Sequence, residues 1–338
     1  MNEIYESFSG YLTEDSKKFL VAFSGGLDST VLLYALKQAL VKEKLNKEIL
    51  AIHVDHKQNK NSKNWIEHCK KFCETMQVSF ACSQIKSNKK ALSENDLRNL
   101  RYEIFSEFVD KNSTLFLAHH LDDQIETFFF RIFRGTGMDG IVGIPEERAL
   151  NEGRLVRPFL GLSKDLLLTY AKKHKLDFIK DPSNKDTSFD RNYIRKNIIP
   201  KIKNRWPNYE NKVQSFIDIQ KEYLGVAETS HDFSDAELSK NTLNLRKLID
   251  EKDSQKKIIL RKWIKLNGLN SPNQKVLDNL INILGHSKPL KNIDGTENKI
   301  NLSHESFSAD KLYDNNDNTK WYTTTLGTIR LELQGGIN

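Results

Sequence analysis

The chain has 338 residues, with 52 Lys and Arg against 45 Asp and Glu, a net charge of +7. That length holds two domains, with room for a small third. The 18 Phe and 10 Tyr supply core material that a disordered chain lacks, and 16 Gly and 7 Pro exclude a collagen-like or proline-rich chain. No run approaches the roughly 18 apolar residues of a spanning helix, which excludes an integral helical membrane protein. The opening MNEIYESFSGYLTEDSKKF has no basic start followed by an apolar stretch, so no secretory signal is expected and the protein is expected in the cytoplasm. Cys69, Cys73 and Cys82 are odd in number and form no CxxC pair. They are expected to be reduced thiols on a helix and a strand.

The first half alternates between strand-like and helix-like segments. FLVAFS (19–24) reads as a buried strand, 29–45 as a helix, EILAIHVDH (48–56) as a strand, 61–76 as a helix and VSFACSQI (78–85) as a strand. Ser93 with Asp96 three residues on resembles a capping box for a helix running to 110. TLFLAHH (114–120) is a strand, and DDQIETFFFRIFRG (122–135) is a helix ended by Gly135. LVRPF (155–159) and SKDLLLTYAKKHK (163–175) repeat the strand–helix pair. The expected fold is α/β: a mostly parallel sheet with helices on both faces. A smaller helical C-terminal domain with a short β segment is expected to follow. The domain reading is 1–207 for the sheet domain, 208–230 for a linker or connecting helix, and 231–338 for the C-terminal domain, ending in a hairpin at 321–333.

Parallel sheets place ligands beyond the carboxyl ends of their strands. SGGLDS (24–29), HVDH (53–56) and HHLDD (119–123) all fall at such ends, which points to one site. In SGGLDS the two glycines allow a tight turn whose N–H groups face inward, Ser24, Ser29 and Thr30 add hydroxyls, and the following helix offers its N-terminus. Ser24, Gly25, Gly26, Leu27, Asp28 and Ser29 thus read as an anion cradle for phosphates, with His53 on the nucleotide side. No Lys follows the glycines, so the loop is neither GxxxxGK[ST] nor GxGxxG. An Asp in an anion cradle makes sense as a Mg²⁺-side residue or as one that orients a pyrophosphate.

SGGLDS after an apolar strand resembles the PP-loop of the N-type ATP pyrophosphatases, a Rossmann-like fold. The resemblance implies cleavage of ATP to AMP and pyrophosphate. LAHHLDDQIETFFFRIFRGTGMDGIVGI (117–144) is similar to the HHxDDQxET…RGxGxxGxxG segment of the tRNA(Ile)-lysidine synthetases. Arg98, Arg101 and Tyr102 match their ARxxRY element, with Leu97 in place of the usual small residue. Asp181, Pro182, Ser183, Asn184, Arg191, Asn192 and Arg195 match their DPSN…RNxxR segment. Lys57 and Lys60 follow the second strand where the family carries a basic residue close behind the His. The likeness covers about 18–205. A 2-thiolase of the same superfamily is the alternative, but it needs motif cysteines that this chain lacks. No second domain with a nucleophilic cysteine is expected ahead of the first strand, which demotes the amidotransferases.

The resemblance implies that L-lysine joins C2 of the wobble cytosine of the CAU-anticodon isoleucine tRNA, through an adenylated cytosine. The lysine ε-amine must be neutral to attack, which calls for a base or a desolvating pocket. Asp123 and Glu126 share a helix face and are assigned to hold the lysine or take its proton. Asp122 is the alternative carboxylate, with plain helix-dipole compensation as its competing reading. His119 and His120 are expected against phosphate or cytosine. Arg98, preferred over Arg101, is expected to stabilise charge on the α-phosphate. The glycine-bearing stretch 134–145 reads as a mobile cover, an RNA contact or a plain connection. The run 191–212 has seven basic residues and one acid, which suits an RNA backbone. Arg191, Asn192 and Arg195 are assigned to the RNA, and Trp206 and Tyr209 are expected to stack on unpaired bases. A second basic stretch, 246–265, reads as helical. No membrane partner is expected, and a homodimer is left open.

Overall fold

The protein is described from a computed structural model. It covers residues 2–12, 18–55, 62–86, 92–181, 189–230, 242–244, 248, 251–266, 274–286, 299–305, 319–324 and 327–333. His56, Lys57, Lys60 and the Pro182–Ser183–Asn184 motif lie outside the described residues. The chain divides into two compact units, residues 1–130 with 143–216, and residues 131–142 with 217–338.

The first unit is built on a six-stranded sheet. Its strands are β1 (Lys18–Ala22), β2 (Glu48–Asp55), β3 (Ser79–Gln84), β4 (Ser113–Phe116), β5 (Glu147–Leu150) and β6 (Gly153–Val156), in spatial order β3-β2-β1-β4-β6-β5. All pairs are parallel except β5 with β6 at one edge. Its helices are α1 (Asn2–Glu6), α2 (Leu27–Lys42), α3 (Ser62–Thr75), α4 (Glu94–Phe108), α5 (Leu121–Phe133) and α7 (Lys164–Lys173), while α6 (Met138–Ile141) falls in the second unit. The mostly parallel α/β sheet read from the sequence is the one observed. The capping box forms as well: Asp96 N–H donates to Ser93 Oγ (3.1 Å) while Ser93 N–H donates to Asp96 Oδ2 (3.0 Å).

Alternation along the strands sorts the core into two layers. Phe19, Val21, Ile49, Ala51 and Phe116 pack with α2, α3 and α7 on one face, and Leu20, Ile52, Val54, Leu115 and Leu117 pack with α4 on the other. A one-residue step along a strand therefore changes the face. Strand order reverses at β1, whose neighbours β2 and β4 lead away in opposite directions. The crevice beyond the carboxyl ends of β1 and β4 is the switch point where open α/β sheets bind ligands.

Beyond α7, the chain forms α8 (Asp190–Tyr193), a π-helical turn (Ile194–Ile198), α9 (Ile199–Arg205) and α10 (Tyr209–Ser230). Pro200 in the first turn of α9 has no N–H to give to the helix, and its ring crowds the preceding carbonyls, which accounts for the wide turn just before it.

The second unit carries α11 (Asp253–Leu266) and α12 (Gln274–His286), which bury Ile259, Leu260, Trp263, Leu277 and Leu280. The hairpin expected at the C-terminal end is β9 (Thr319–Thr324) with β10 (Gly327–Leu333). It belongs to a larger antiparallel sheet, with β7 (Thr242–Asn244) and β8 (Lys299–Glu305), in the order β7-β8-β10-β9.

Candidate active site

Gly25 takes a left-handed turn (φ +79°) directly after β1. A Cβ there would meet Cys69 Sγ and Ile179 Cδ1 at 2.7 Å each, so conformation and space both require glycine. Gly25 O accepts from Ile179 N–H (2.8 Å), which fastens the loop to the chain after α7. Gly26 is the N-cap of α2 and gives no side-chain cap, so the first-turn amides of α2 face outward as an anion site. Ser24 and Ser29 brace the loop, with their hydroxyls 3.0 Å apart and Ser29 Oγ donating to Gly26 O (3.2 Å).

A cavity of about 270 Å³ opens at the switch point. Ser24, Gly26, Asp28 and Ser29 line it from the glycine loop, His119 and Asp123 from the end of β4 and the start of α5, and Arg98, Arg101, Tyr102 and Phe105 from α4. Ala22, Ile52, Val54 and Leu117 form its apolar floor. The glycine loop and the twin-histidine acidic cluster therefore face one space.

Asp28 holds a buried carboxylate oxygen, Oδ1, with no hydrogen-bond partner. Burial raises its pKa, but His120, Lys164 and Arg195 outweigh this and keep the carboxyl below its ordinary value. An unpartnered anionic oxygen beside a phosphate cradle fits Mg²⁺, which binds through one or two carboxylates plus phosphate. Among the described residues no cluster of three His, Cys, Asp or Glu side chains would hold a metal alone, so phosphate oxygens would have to complete the set.

His119 and His120 continue the alternation of β4 and meet opposite surroundings. His120 is buried with Nε2 3.6 Å from Asp28 Oδ2 and 3.5 Å from Asp123 Oδ2, and Nδ1 3.5 Å from Asp122 Oδ2. Burial opposes its charge, but the three carboxylates prevail and raise its pKa to about 10. His119 is held neutral, well below the usual histidine range, by burial and by Arg157, Arg98 and Arg101, with Asp123 opposing them.

The carboxylates divide as well. Asp123 reaches the cavity, while its Oδ2 accepts the His120 backbone N–H (3.0 Å) and so caps α5. Asp122, expected at the substrate, is instead turned toward α7, where Oδ2 accepts Lys164 N–H (2.9 Å). Glu126, expected to act with Asp123, is buried and held by Arg195, whose Nε and Nη2 grip both its oxygens, the latter at 2.7 Å. Burial raises the Glu126 pKa against the pull of Arg195. Arg195, expected at RNA, is thus committed to this pair and lies 3.7 Å from Asp123 Oδ1. It sits in the π-helical turn.

Other expected residues stand outside the cavity. His53 faces the α3 side of the sheet, where Nδ1 bonds Phe23 O (2.9 Å) beside Cys69 Sγ (3.6 Å). Its neighbours Ile52 and Val54 line the cavity, so His53 braces the strand that carries the loop. Leu27 packs against the core. Arg191 lies over the Phe130 ring (5.5 Å), and Asn192 is half-buried on α8. Tyr209, expected to stack on a base, is buried against Leu121 and Ile125, whereas Trp206 is 61 % exposed.

Arg157 belongs to none of the motifs that the sequence offers. It is 1 % exposed at the end of β6 and donates to Pro145 O (2.6 Å), Tyr102 OH (3.3 Å) and His119 Nδ1 (3.3 Å). A polar residue just past a parallel strand, in LVRPF, was the available signal. Gln124 is equally hidden, and clasps the backbone of Ile144 from α5.

An α/β sheet with a glycine anion cradle and a mixed acid–base cluster at its switch point defines a protein built to act on a phosphate-bearing ligand. The chain belongs to the PP-loop family, whose domain profile matches residues 1–202. It is 41% identical over 197 residues to the tRNA(Ile)-lysidine synthase of Legionella pneumophila, covering 58% of this chain and 45% of that protein. To the same enzyme of Haemophilus influenzae it is 34% identical over 272 residues, covering 79% and 63%. The chain thus spans about half to under two thirds of the length of these relatives. A U34-tRNA thiolase from Methanococcus maripaludis shares the fold, with a TM-score of 0.53 at 17% identity over 65% of this chain and 78% of that one. No helix among the described residues is long and apolar enough to cross a membrane.

Proposed function

We propose that this protein joins L-lysine to C2 of the wobble cytosine of the CAU-anticodon isoleucine tRNA, converting ATP to AMP and pyrophosphate. This would change decoding from AUG to AUA. The observation that carries the reading is the shared cavity at the switch point, which the glycine loop, the Asp123 carboxylate and His119 all line.

The first-turn amides of α2 and the loop around Ser24 and Ser29 bind the phosphates of ATP. Asp28 would hold Mg²⁺ together with pyrophosphate oxygens, and the bound ion would neutralise their charge. Ile52 and Val54 offer an apolar surface for the adenine. The cytosine O2 attacks the α-phosphorus, the bond to the β-phosphate bridge breaks, and pyrophosphate leaves. Arg98 stabilises the charge that develops on the α-phosphate. The lysine ε-amine then attacks C2, the C2–O bond breaks, and AMP departs with the oxygen. Asp123 takes the proton that the amine gives up. The wobble base is unpaired in an anticodon loop, so its entry into the cavity costs little.

The basic run 191–212 and residues 231–338 supply the tRNA contacts, with exposed Trp206 as a stacking surface. Sulfur transfer draws no support from the thiols. Cys69 and Cys73 are buried on α3 with pKa values pushed up to about 12, first by burial, and among the described residues no cysteine lines the cavity. The test is incorporation of labelled lysine into a CAU-anticodon transcript. Uptake should require ATP and match AMP formed; AMP release without lysine uptake, or sulfur in the product, refutes the reading.

A further inference from the structure

His119 and His120 are neighbours in sequence, yet one is surrounded by arginines and the other by carboxylates. The first environment depends on Arg157. A guanidinium has no acceptor, so in the 3.3 Å contact Arg157 Nε–H donates and His119 Nδ1 accepts. The single proton of a neutral imidazole must then sit on Nε2. A proton on Nδ1 would set two hydrogens against each other, and protonation of both ring nitrogens would in addition place a cation beside Arg157, Arg98 and Arg101. Arg157 is itself pinned from two further directions, by Pro145 O at 2.6 Å and Tyr102 OH at 3.3 Å. Among the described residues no carboxylate pairs with it. Burying such a cation is costly where an apolar side chain of similar volume would pack as well, so packing alone does not account for an arginine here.

We propose that Arg157 is a positioning residue that fixes His119 as a neutral imidazole protonated at Nε2, so that His119 meets the ligand as a hydrogen-bond donor and neither as a cation nor as a base. The inference rests on the proposed lysine-transfer reading only for the identity of that ligand, a pyrimidine with acceptors at N3 and O2. A neutral donor orients this edge and leaves O2 its lone pair for attack on phosphorus. An imidazolium would be drawn to the phosphates and would withdraw that electron pair.

The test is ¹⁵N NMR of the full chain labelled at histidine, with the His119 signals assigned by their loss in His119→Gln. In the unsubstituted protein Nδ1 should be unprotonated and Nε2 protonated from about pH 6 to 8. Arg157→Met should show a tautomer mixture or a titration in that range. It should lower kcat on the order of tenfold with KM for ATP unchanged, and add almost nothing in a His119→Gln background. An unchanged His119 spectrum in Arg157→Met, or an equal further loss in the double variant, overturns the proposal. Should Arg157→Met fail to fold, the unsubstituted spectrum decides, since a His119 proton on Nδ1 overturns the proposal. The expected tautomer in a protein that attaches no lysine would support the role of Arg157 and reject the proposed reaction.

Discussion

Asp28, Asp122, Asp123 and Glu126 gather where α2 and α5 begin, whereas Arg98, Arg148 and Arg157 gather around Tyr102 on the α4 side. The acidic side is largely neutralised from within, by His120 and Arg195. The basic side is not: among the described residues no carboxylate forms an ion pair with Arg98, Arg148 or Arg157. Burial raises the Tyr102 pKa, but Arg98, Arg157 and Arg148 outweigh it and leave it below its ordinary value. The contrast separates the two kinds of charge that the proposed two-step ligation would have to handle. The arginine side suits phosphate, and of the two acidic side chains that line the cavity, Asp28 suits a divalent cation and Asp123 an ammonium.

Asp123→Asn tests the acidic side most severely. The amide preserves size and can still accept the His120 N–H, so the loss should fall on proton transfer. Lysine attachment should drop by about 10²- to 10⁴-fold, while ATP-dependent adenylation of the tRNA continues. Single-turnover assays that follow pyrophosphate and lysine separately distinguish the steps, and equal loss of both would erase the division of labour. Arg98→Ala makes the complementary break. Pyrophosphate release should slow by about 10²- to 10³-fold, with KM for lysine little changed. Arg101 also lines the cavity but is exposed, so Arg101→Ala should cost less. The reverse order would exchange the two arginines' roles.

How much of this was legible depended on distance along the chain. The phosphate cradle is local: an apolar strand, two glycines and a helix start within a dozen residues, and the fold follows from repeating that pattern. His53 was misplaced because it stands one residue from the cavity-lining Ile52 and Val54, and strand alternation turns it away. Glu126 and Arg195 each looked free because they are 69 residues apart, and Arg195 meets Glu126 from a π turn that no helical spacing announces. Arg157 was missed for the same reason, with partners 38 and 55 residues away. Residue type and order point to the candidate site, but pairings between distant segments decide which charges remain available to a ligand.

Asp122 gives the mildest test of that internal neutralisation. Burial works against its charge, but His120 and the Lys164 amide prevail and lower the carboxyl from 3.8 to about 2. A depressed carboxyl contributes stability that is present above the unfolded value and lost as pH falls through the folded one. The window is therefore 3.8 down to about 2. The side chain is 39% exposed, and discounted for solvent screening the contribution is about 1 kcal/mol. Asp122→Asn should accordingly be less stable than the unsubstituted protein by about that amount near neutrality, in denaturant unfolding, and the gap should close as the pH approaches 2. A gap that held constant across that range would assign the loss to packing at the start of α7, and Asp122 would no longer count among the charges that keep the acidic side balanced.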